Sequence, residues 1–584
     1  MAPPPVPDAQ WLWENEPCRA ACPVHTDAGA YVTAIAEGRH RDAYLIARRP
    51  NPFPSICGRV CAAPCETACR RGAIDAPVGI RALKRFVSER YGVESFAGAA
   101  AWHEGHAPVP PATLGSVGVV GGGPAGLAAA HDLRIAGHPV TIYEAEDRLG
   151  GMMVLGIPEY RLARGLISRE IDAILELGVD ARTGCTVGVD VTLDELLRRH
   201  DALFVGVGAS RGRMLDIPGH ELDGVLRAME FLLNVNRGFR VELGERVVVV
   251  GGGNVAFDVA RTALRTSLDV ARAAVRAGVG DVTAVALESA EEMPAAAEEI
   301  AEAVEEGIRI VHRRGPSRIV GDGRVSGLET IGVASVFDES GRFNPTFVPD
   351  TEEVLPADSV ILAVGQVADV SFVGDDLSVE RTRQGGLRVG DGLRTTHPRI
   401  WAGGDVAFGP RNLIDAIADG GRAAASIHAT LIGGPQAVET SVPVSIGLAP
   451  RTGFRRLSTG YDAVARVPVP AVPIERRVGF AEVETGYDEA GAVLEGLRCL
   501  RCFDNIMLLP ELCILCGLCV DVCPYDCITI VRADRVGAGS ESQSALLLDE
   551  ELCIRCGLCV NRCPPGALLM VHACEHVEQE TARG

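Results

Sequence analysis

The sequence predicts an α/β chain with a small α+β domain at its C-terminal end, on three observations. An apolar strand runs through Gly121-x-Gly123-x-x-Gly126 into an Ala/Leu-rich helix, and a second strand, "RVVVV", does the same through Gly251-x-Gly253-x-x-Ala256. The spacing Cys-x2-Cys-x2-Cys-x3-Cys-Pro occurs twice near the end. A strand that turns through spaced glycines into a helix is the phosphate-binding opening of a dinucleotide fold. The doubled cysteine run is the ligand pattern of a two-cluster bacterial-type ferredoxin. The expected architecture is therefore two nested dinucleotide-binding domains, after a cysteine-bearing N-terminal segment and before a ferredoxin-like domain. The boundaries read as 1–112, 113–240 and 241–354, then 355–436 resuming the second, then 437–495 and 496–584.

Composition narrows the function classes. A formal charge of −21 argues against nucleic acid and anionic membrane surfaces as partners. No run of about 18 apolar residues is present, so no membrane span is expected. The opening "MAPPPVPDAQWLWENEP" has neither a basic n-region nor an apolar h-region, which predicts a cytoplasmic location. Of 19 cysteines, six fall between Cys18 and Cys69 and twelve between Cys499 and Cys574, leaving Cys185 alone between the bunches. Such bunching at metal-ligand spacings points to metal rather than to a disulfide framework.

Within residues 1–112 the candidate ligands are Cys18, Cys22, Cys57, Cys61, Cys65 and Cys69. Cys-x3-Cys puts two thiols on one helix face, but Pro64 breaks any single helix through the last four. Short helical turns folded around a cluster fit better. Six thiolates supply one [4Fe–4S] cluster with two to spare. The reading takes Cys22, Cys61 and Cys65, plus a fourth from Cys57, Cys69 or Cys18, and leaves open a second cluster with an unusual ligand.

In the first nucleotide domain, Gly121 makes the turn, Gly123 with Pro124 and Ala125 lets backbone approach a pyrophosphate, and Gly126 lets helix pack on strand. The returning strand "VTIYE" ends in Glu144, placed for ribose hydroxyls, and Gly151 follows in "DRLGG". After residue 355 this domain is expected to resume with "SVILAVGQ", which carries Gly365, and with "PRIWAGGDV", which carries Gly404 and Asp405. Flavoproteins set such a Gly-Asp against the FAD pyrophosphate and ribityl chain. The inserted domain should take the nicotinamide nucleotide, with Gly251, Gly253, Asn254 and Ala256 at the phosphates. Its next strand, "VTAVALESAEEMP", ends near Glu288. NADP sites place arginine there for the 2′-phosphate, whereas a carboxylate accepts from the free hydroxyls of NAD, so NAD is expected over NADP.

Residues 437–495 are punctuated by proline and glycine and read as a tether. In the runs beyond it, the fourth cysteine of each serves the other's cluster. One cluster should use Cys513, Cys516, Cys519 and Cys563, and the other Cys553, Cys556, Cys559 and Cys523. Cys499 and Cys502, a Cys-x2-Cys pair, could form a further cluster with Cys527 and Cys574, or could be unligated. No HExxH or nucleophile elbow is present.

The motifs "CPVHTDAGAYV", "NPFPSICGRVCAAPCETACRRG", "GVVGGGPAGL", "GIPEYRL", "GGGNVAFDVAR", "EEMPA" and "AGGDV" carry a resemblance. Over roughly residues 15–436 the chain resembles the glutamate synthase small subunit and the N-terminal half of dihydropyrimidine dehydrogenase. The resemblance implies a helical iron–sulfur domain ahead of the FAD and NAD(P)H domains. Two departures stand out. Members using NADPH carry an arginine pair where this chain has Leu287-Glu288, and the family's Cys-x2-Cys upstream of Cys18 is replaced by "WLWENEP". The unusual carboxylate or amide ligand of some relatives aligns with Lys84.

Hydride transfer moves two electrons and iron–sulfur clusters move one, so a flavin between them acts as adapter. The expected function is an NADH:acceptor electron-transfer subunit of a larger redox complex, with a catalytic partner of glutamate synthase, 2-oxoacid, aldehyde or acyl-CoA oxidoreductase type. The alternative is a stand-alone NAD(P)H:ferredoxin reductase, and a third class is an iron–sulfur scaffold or redox sensor. "GGMMVLGIPEYRL" lacks the cysteine pair that a disulfide reductase sets beside its flavin.

Overall fold

The computed structural model describes residues 8–273, 280–433, 444–450, 464–477, 479–537, 543–550 and 552–577. The N-terminal part is helical. Apolar side chains at helical spacing on Ala28–Ala36, His40–Arg48 and Ile80–Tyr91 bury Tyr31, Ile35, Ala43, Ala47, Leu83 and Phe86 in one core. The chain breaks where Pro64 requires it. Helix Pro54–Val60 stops at Cys61, Ala63 turns left-handed, and Pro64 opens a separate helix, Pro64–Thr67.

The first fingerprint lies in a five-stranded parallel sheet ordered Ile400–Ala402, Ala202–Val205, Val117–Val120, Val140–Tyr143 and Asp180–Arg182. Its three central members are apolar and buried almost throughout, as parallel strands covered on both faces must be. The helix leaving the fingerprint, Pro124–Ile135, packs along Leu413–Ile432, so the chain's return after residue 400 completes this unit.

The second sheet is also parallel, in the order Val225–Arg227, Ser359–Leu362, Arg246–Val250, Asp281–Val285 and Arg309–Val311. Two of its strands lie outside the 241–354 span read from sequence. Ser359–Leu362, from "SVILAVGQ", belongs here and not to the resumed first unit. A buried parallel strand is a continuous apolar run in either sheet, so pattern cannot allot it; pairing of Ser359–Leu362 with Val247–Val250 does. This unit also carries an antiparallel sheet, Arg314–Asp322, Arg324–Phe337 and Phe343–Pro356, whose alternating pattern leaves Phe337, Phe343 and Phe347 exposed.

Toward the C-terminus, Ile528–Arg532 pairs with Ser544–Leu548, and Leu568–Val577 pairs with both Asp504–Leu508 and Val444–Pro450. Helix Glu489–Gly496, capped by Asp488, packs on Ala28–Ala36 and Ile80–Tyr91. Two parts of the expected tether are therefore structured: one as a strand of the C-terminal sheet, one as a helix on the N-terminal core. Among the described residues no helix is long and apolar enough to cross a membrane.

Candidate functional site

A cavity of about 600 Å³ opens at the C-terminal edge of the first sheet. Gly121, Gly123, Pro124, Ala125, Glu144, Gly151, Gly404 and Asp405 all line it, so the predicted first-domain residues converge on one cleft. Gly126 lies beneath them. A Cβ there would sit 1.9 Å from the carbonyl oxygen of Gly121, so only glycine lets this helix start against the turn. Glu144 is buried, and its carboxylate accepts from the backbone N–H of Gly122 at 2.7 Å and of Glu146 at 2.9 Å. Burial outweighs those bonds and raises its pKa. Burial likewise pushes Asp405 up to about 6, although Arg411 donates its backbone N–H at 3.1 Å. Volume, lining and the carboxylate behind the glycine turn fit the adenosine and pyrophosphate of FAD. Cys185 is the only cysteine lining this cleft among the described residues, so no dithiol pair stands beside the flavin position.

The second fingerprint repeats the first in detail. The Oε2 of Glu288 lies 2.7 Å from where a Cβ on Gly252 would be, and the Oε2 of Glu144 lies 3.2 Å from the matching point on Gly122. Each carboxylate thus stands over the middle residue of its glycine turn. Asn254 opens the helix Asn254–Ala273 and accepts from the N–H of Ala296 at 2.9 Å, while Ala256 is fully buried beneath. Gly251 is held in the positive-φ region with Ala363 behind it, and Gly253 faces open space. Gly365 does not line the first cleft; it stands beside Arg213, and its neighbour Gln366 takes the lining position.

Sequence reasoning missed the ion network that ties the two nucleotide units together. Arg161 bonds Asp258 at 2.8 Å and Glu299 at 2.5 Å, and the fully buried Arg261 bonds Glu299, Glu302 and Glu306 at 2.6–2.9 Å. Asp258 also lines the flavin cleft. The signal was available, since Arg161 sits in "GIPEYRL" and Asp258 and Arg261 in "FDVAR".

Beside this network a second cavity, about 340 Å³, is lined by Cys61 together with Ile157, Arg411, Asn412 and Leu413, and those last four also line the flavin cleft. Cys61 therefore brings the N-terminal cysteines to the edge of the flavin position. Cys22, Cys57, Cys61 and Cys65 gather around the buried ammonium of Lys84. Burial alone would lower that lysine, but the four thiols outweigh it and hold the pKa above its ordinary range. Cys61 is pulled down to about 6, first by its hydrogen bond with Cys57, and the N–H of Ala63 donates to its sulfur at 3.4 Å. Four thiols, one lowered, beside a fixed cation suit the thiolate ligation of a [4Fe–4S] cluster.

Cys18 and Cys69 face another way. They line a small cavity of about 30 Å³ with Cys499 and Cys502. Cys527, the expected companion of that pair, instead lies 3.2 Å from Cys523, and Cys574 falls in the strand paired with Val444–Pro450, opposite Gly447. The doubled runs meet crosswise. One cavity of about 20 Å³ is lined by Cys513, Cys516, Cys519 and Cys563, and another by Cys553, Cys556, Cys559 and Cys523 with Cys527. The N–H of Ala567 donates to the Cys563 sulfur at 3.2 Å. Among the described residues no set of three or more His, Cys, Asp or Glu converges tightly enough for one bare metal ion. The thiols surround cavities instead, and those fit clusters.

Comparison with known proteins agrees with this assembly. The family model described as pyridine nucleotide-disulphide oxidoreductase matches residues 115–420. The one described as dihydropyrimidine dehydrogenase domain II, 4Fe-4S cluster, matches 13–95, and the 4Fe-4S dicluster domain matches 512–567. The NADP(+)-dependent formate dehydrogenase subunit beta of Moorella thermoacetica is 38% identical over 432 residues, covering 70% of this chain and 59% of that one. The NADPH-Fe(3+) oxidoreductase subunit beta of Geobacter sulfurreducens is 36% identical over 444 residues, covering 70% and 63%. The glutamate synthase [NADPH] small chain of Azospirillum brasilense is 33% identical over 435 residues, covering 70% and 86%. The chain thus spans about three fifths of the first two relatives.

Proposed function

This chain belongs to the pyridine nucleotide-disulphide oxidoreductase family, in the company of the glutamate synthase small chains, and on that premise we propose that it is an NADH-linked electron-transfer subunit serving a separate catalytic partner. The observation that carries the reading is the shared wall between the flavin cleft and the Cys61 cavity, formed by Ile157, Arg411, Asn412 and Leu413. When bound, FAD exchanges a hydride with the nicotinamide and single electrons with the iron–sulfur clusters. The residues supply position. Gly121, Gly123 and Gly404 bring backbone to the FAD phosphates, and the Arg161–Asp258–Glu299 bridge fixes the angle between the two nucleotide units. At the far end, Cys516 is exposed, with Ile514 and Leu515 exposed around it, so electrons can leave the chain there.

Glu288 argues for NADH. Its carboxylate stands over Gly252 as that of Glu144 stands over Gly122, where it accepts from ribose hydroxyls and repels a 2′-phosphate. The relatives named above carry NADP or NADPH in their names, so this preference rests on the residue and not on kinship. Partner candidates are catalytic redox subunits of glutamate synthase, 2-oxoacid, aldehyde or acyl-CoA oxidoreductase type.

The test is anaerobic isolation at native abundance, followed by identification of what co-purifies and by flavin bleaching with each nucleotide. A stoichiometric partner with its own active site, and bleaching at lower NADH than NADPH, are expected. A lone chain that reduces ferredoxin with NADH would replace the reading with that of a stand-alone reductase. Failure of both nucleotides to bleach the flavin would leave an iron–sulfur scaffold or sensor.

A further inference from the structure

Cys499 and Cys502 belong to no ferredoxin run, and Cys18 and Cys69 lie apart from the thiols around Lys84, yet these four line one cavity. We propose that Cys18, Cys69, Cys499 and Cys502 together hold a [4Fe–4S] cluster that joins the N-terminal helices to the start of the C-terminal domain. This deepens the electron-transfer reading by adding a site between the Cys22 set and the ferredoxin clusters.

Three independent observations carry it. The first is the cavity: about 30 Å³ here, against about 20 Å³ at each ferredoxin run, with four cysteines on the wall here and at one run and five at the other. Its remaining lining is largely apolar, except for Glu16 and two arginines. Glu16 is 2% exposed and accepts from the Cys18 thiol at 3.3 Å through one oxygen, and its other oxygen has no hydrogen-bond partner among the described residues.

The second is the turn. In Cys513–Cys516 and Cys553–Cys556 the residue before the second cysteine is left-handed, Leu515 at φ 51° and Arg555 at φ 56°. Arg501, in the same place in Cys499–Cys502, has φ 54°. Non-glycine residues adopt that conformation at a cost in backbone strain and keep it where surroundings demand it. The N–H of Arg501 donates to the Cys499 sulfur at 3.4 Å, as amides do to Cys61 and Cys563. The pair thus has the local geometry of the two Cys-x2-Cys pairs in the ferredoxin runs.

The third is the anchorage that brings residue 499 to residue 18. Arg498 is buried, bonds Asp75 at 2.9 Å and Glu495 at 2.6 Å, and donates to the carbonyls of Pro77 and Ala76. Glu495, fully buried, accepts from the N–H of Gly79 at 2.8 Å. On the other side the buried Arg555, from the second ferredoxin run, stands close enough to act electrostatically on both Cys502 and Glu16. The site therefore adjoins the cluster position of Cys553, Cys556, Cys559 and Cys523. On loading, four thiols release four protons and form four Fe–S bonds.

Iron and acid-labile sulfide are counted per FAD on the full chain, isolated anaerobically with its clusters. Three cysteine sets account for about twelve irons and this one brings the count to about sixteen. Cys499→Ala/Cys502→Ala and Cys18→Ala/Cys69→Ala should each lose about four irons, keep FAD, and lose the same component of the reduced EPR spectrum. Retention of about sixteen irons in either double variant overturns the proposal, and so does one zinc in place of four irons. If a variant does not fold, the unaltered chain decides: about sixteen irons supports the site and about twelve overturns it. Bleaching by NADH in the same sample is read separately. Bleaching with twelve irons removes only this cluster, and sixteen irons without bleaching removes only the proposed function.

Discussion

Replacing Glu288 by glutamine removes one negative charge from beside Gly252 and keeps an oxygen that can accept a hydrogen bond. Glu288 is half-buried, so the effective dielectric around it lies between water and protein interior. At about 4 Å from a 2′-phosphate its charge costs roughly 1 kcal/mol in water and 4 kcal/mol near a protein surface. NADPH should therefore bind Glu288→Gln about five-fold to nearly a thousand-fold more tightly than it binds the unaltered chain. NADH should weaken by about five- to ten-fold, because a charge-assisted hydrogen bond becomes a neutral one. The assay is anaerobic flavin bleaching with each nucleotide, repeated at two salt concentrations, since the NADPH penalty should shrink with ionic strength. If NADPH affinity stays within about two-fold, Glu288 does not face the 2′ position and the NADH preference falls with it.

Other perturbations test the frame. Arg498→Ala leaves the fully buried Glu495 without its cation and Asp75 with Arg71 alone, and should cost about 3 to 5 kcal/mol in urea unfolding; a loss under about 1 kcal/mol would show the network to be dispensable. Burial pushes Glu170 up to about 8, against backbone N–H groups of Ser55 and Ile56 that donate to it at 2.8 and 3.1 Å. Between its ordinary 4.5 and about 8 the native chain holds a proton that the unfolded chain has released, so this carboxyl's contribution to stability falls as pH rises through that window. The thermal midpoint of Glu170→Gln should be flatter over the same range, and identical slopes would refute the shift.

Much of the site could be read from local sequence. The fingerprints, Glu144 and the crosswise ferredoxin runs all follow from short spacings whose physical reasons are local, as Gly126 against Gly121 illustrates. Ser359–Leu362 could not be allotted, because both parallel sheets bury the same kind of apolar strand. The companions of Cys499 and Cys502 were equally out of reach. Spacing pairs those two with each other, but Cys527, an unassigned cysteine close to them in sequence, lies against Cys523, and it is Cys18 and Cys69 that line their cavity. What decides is Arg498 and Glu495 seating a C-terminal helix on the N-terminal core, a long-range ion network with no periodic signature. The upstream Cys-x2-Cys that the sequence lacks before Cys18 has a spatial counterpart in that distant pair.

The seating of Glu489–Gly496 on Ala28–Ala36 and Ile80–Tyr91 also sets an order of events during synthesis. A ribosome makes about 5 to 20 residues each second, and domains fold as they emerge. The helices around Tyr31 appear first, with Asp75 held by Arg71 alone, and must wait until the chain reaches Arg498 before Asp75 has its second cation. Both nucleotide units are made and folded during that wait, inside a loop whose ends have not yet met. A chain cut short before residue 487 would keep both nucleotide clefts but leave the core around Tyr31 without Ala492 and Tyr487. Completion of the N-terminal domain thus reports that nearly the whole polypeptide has been translated.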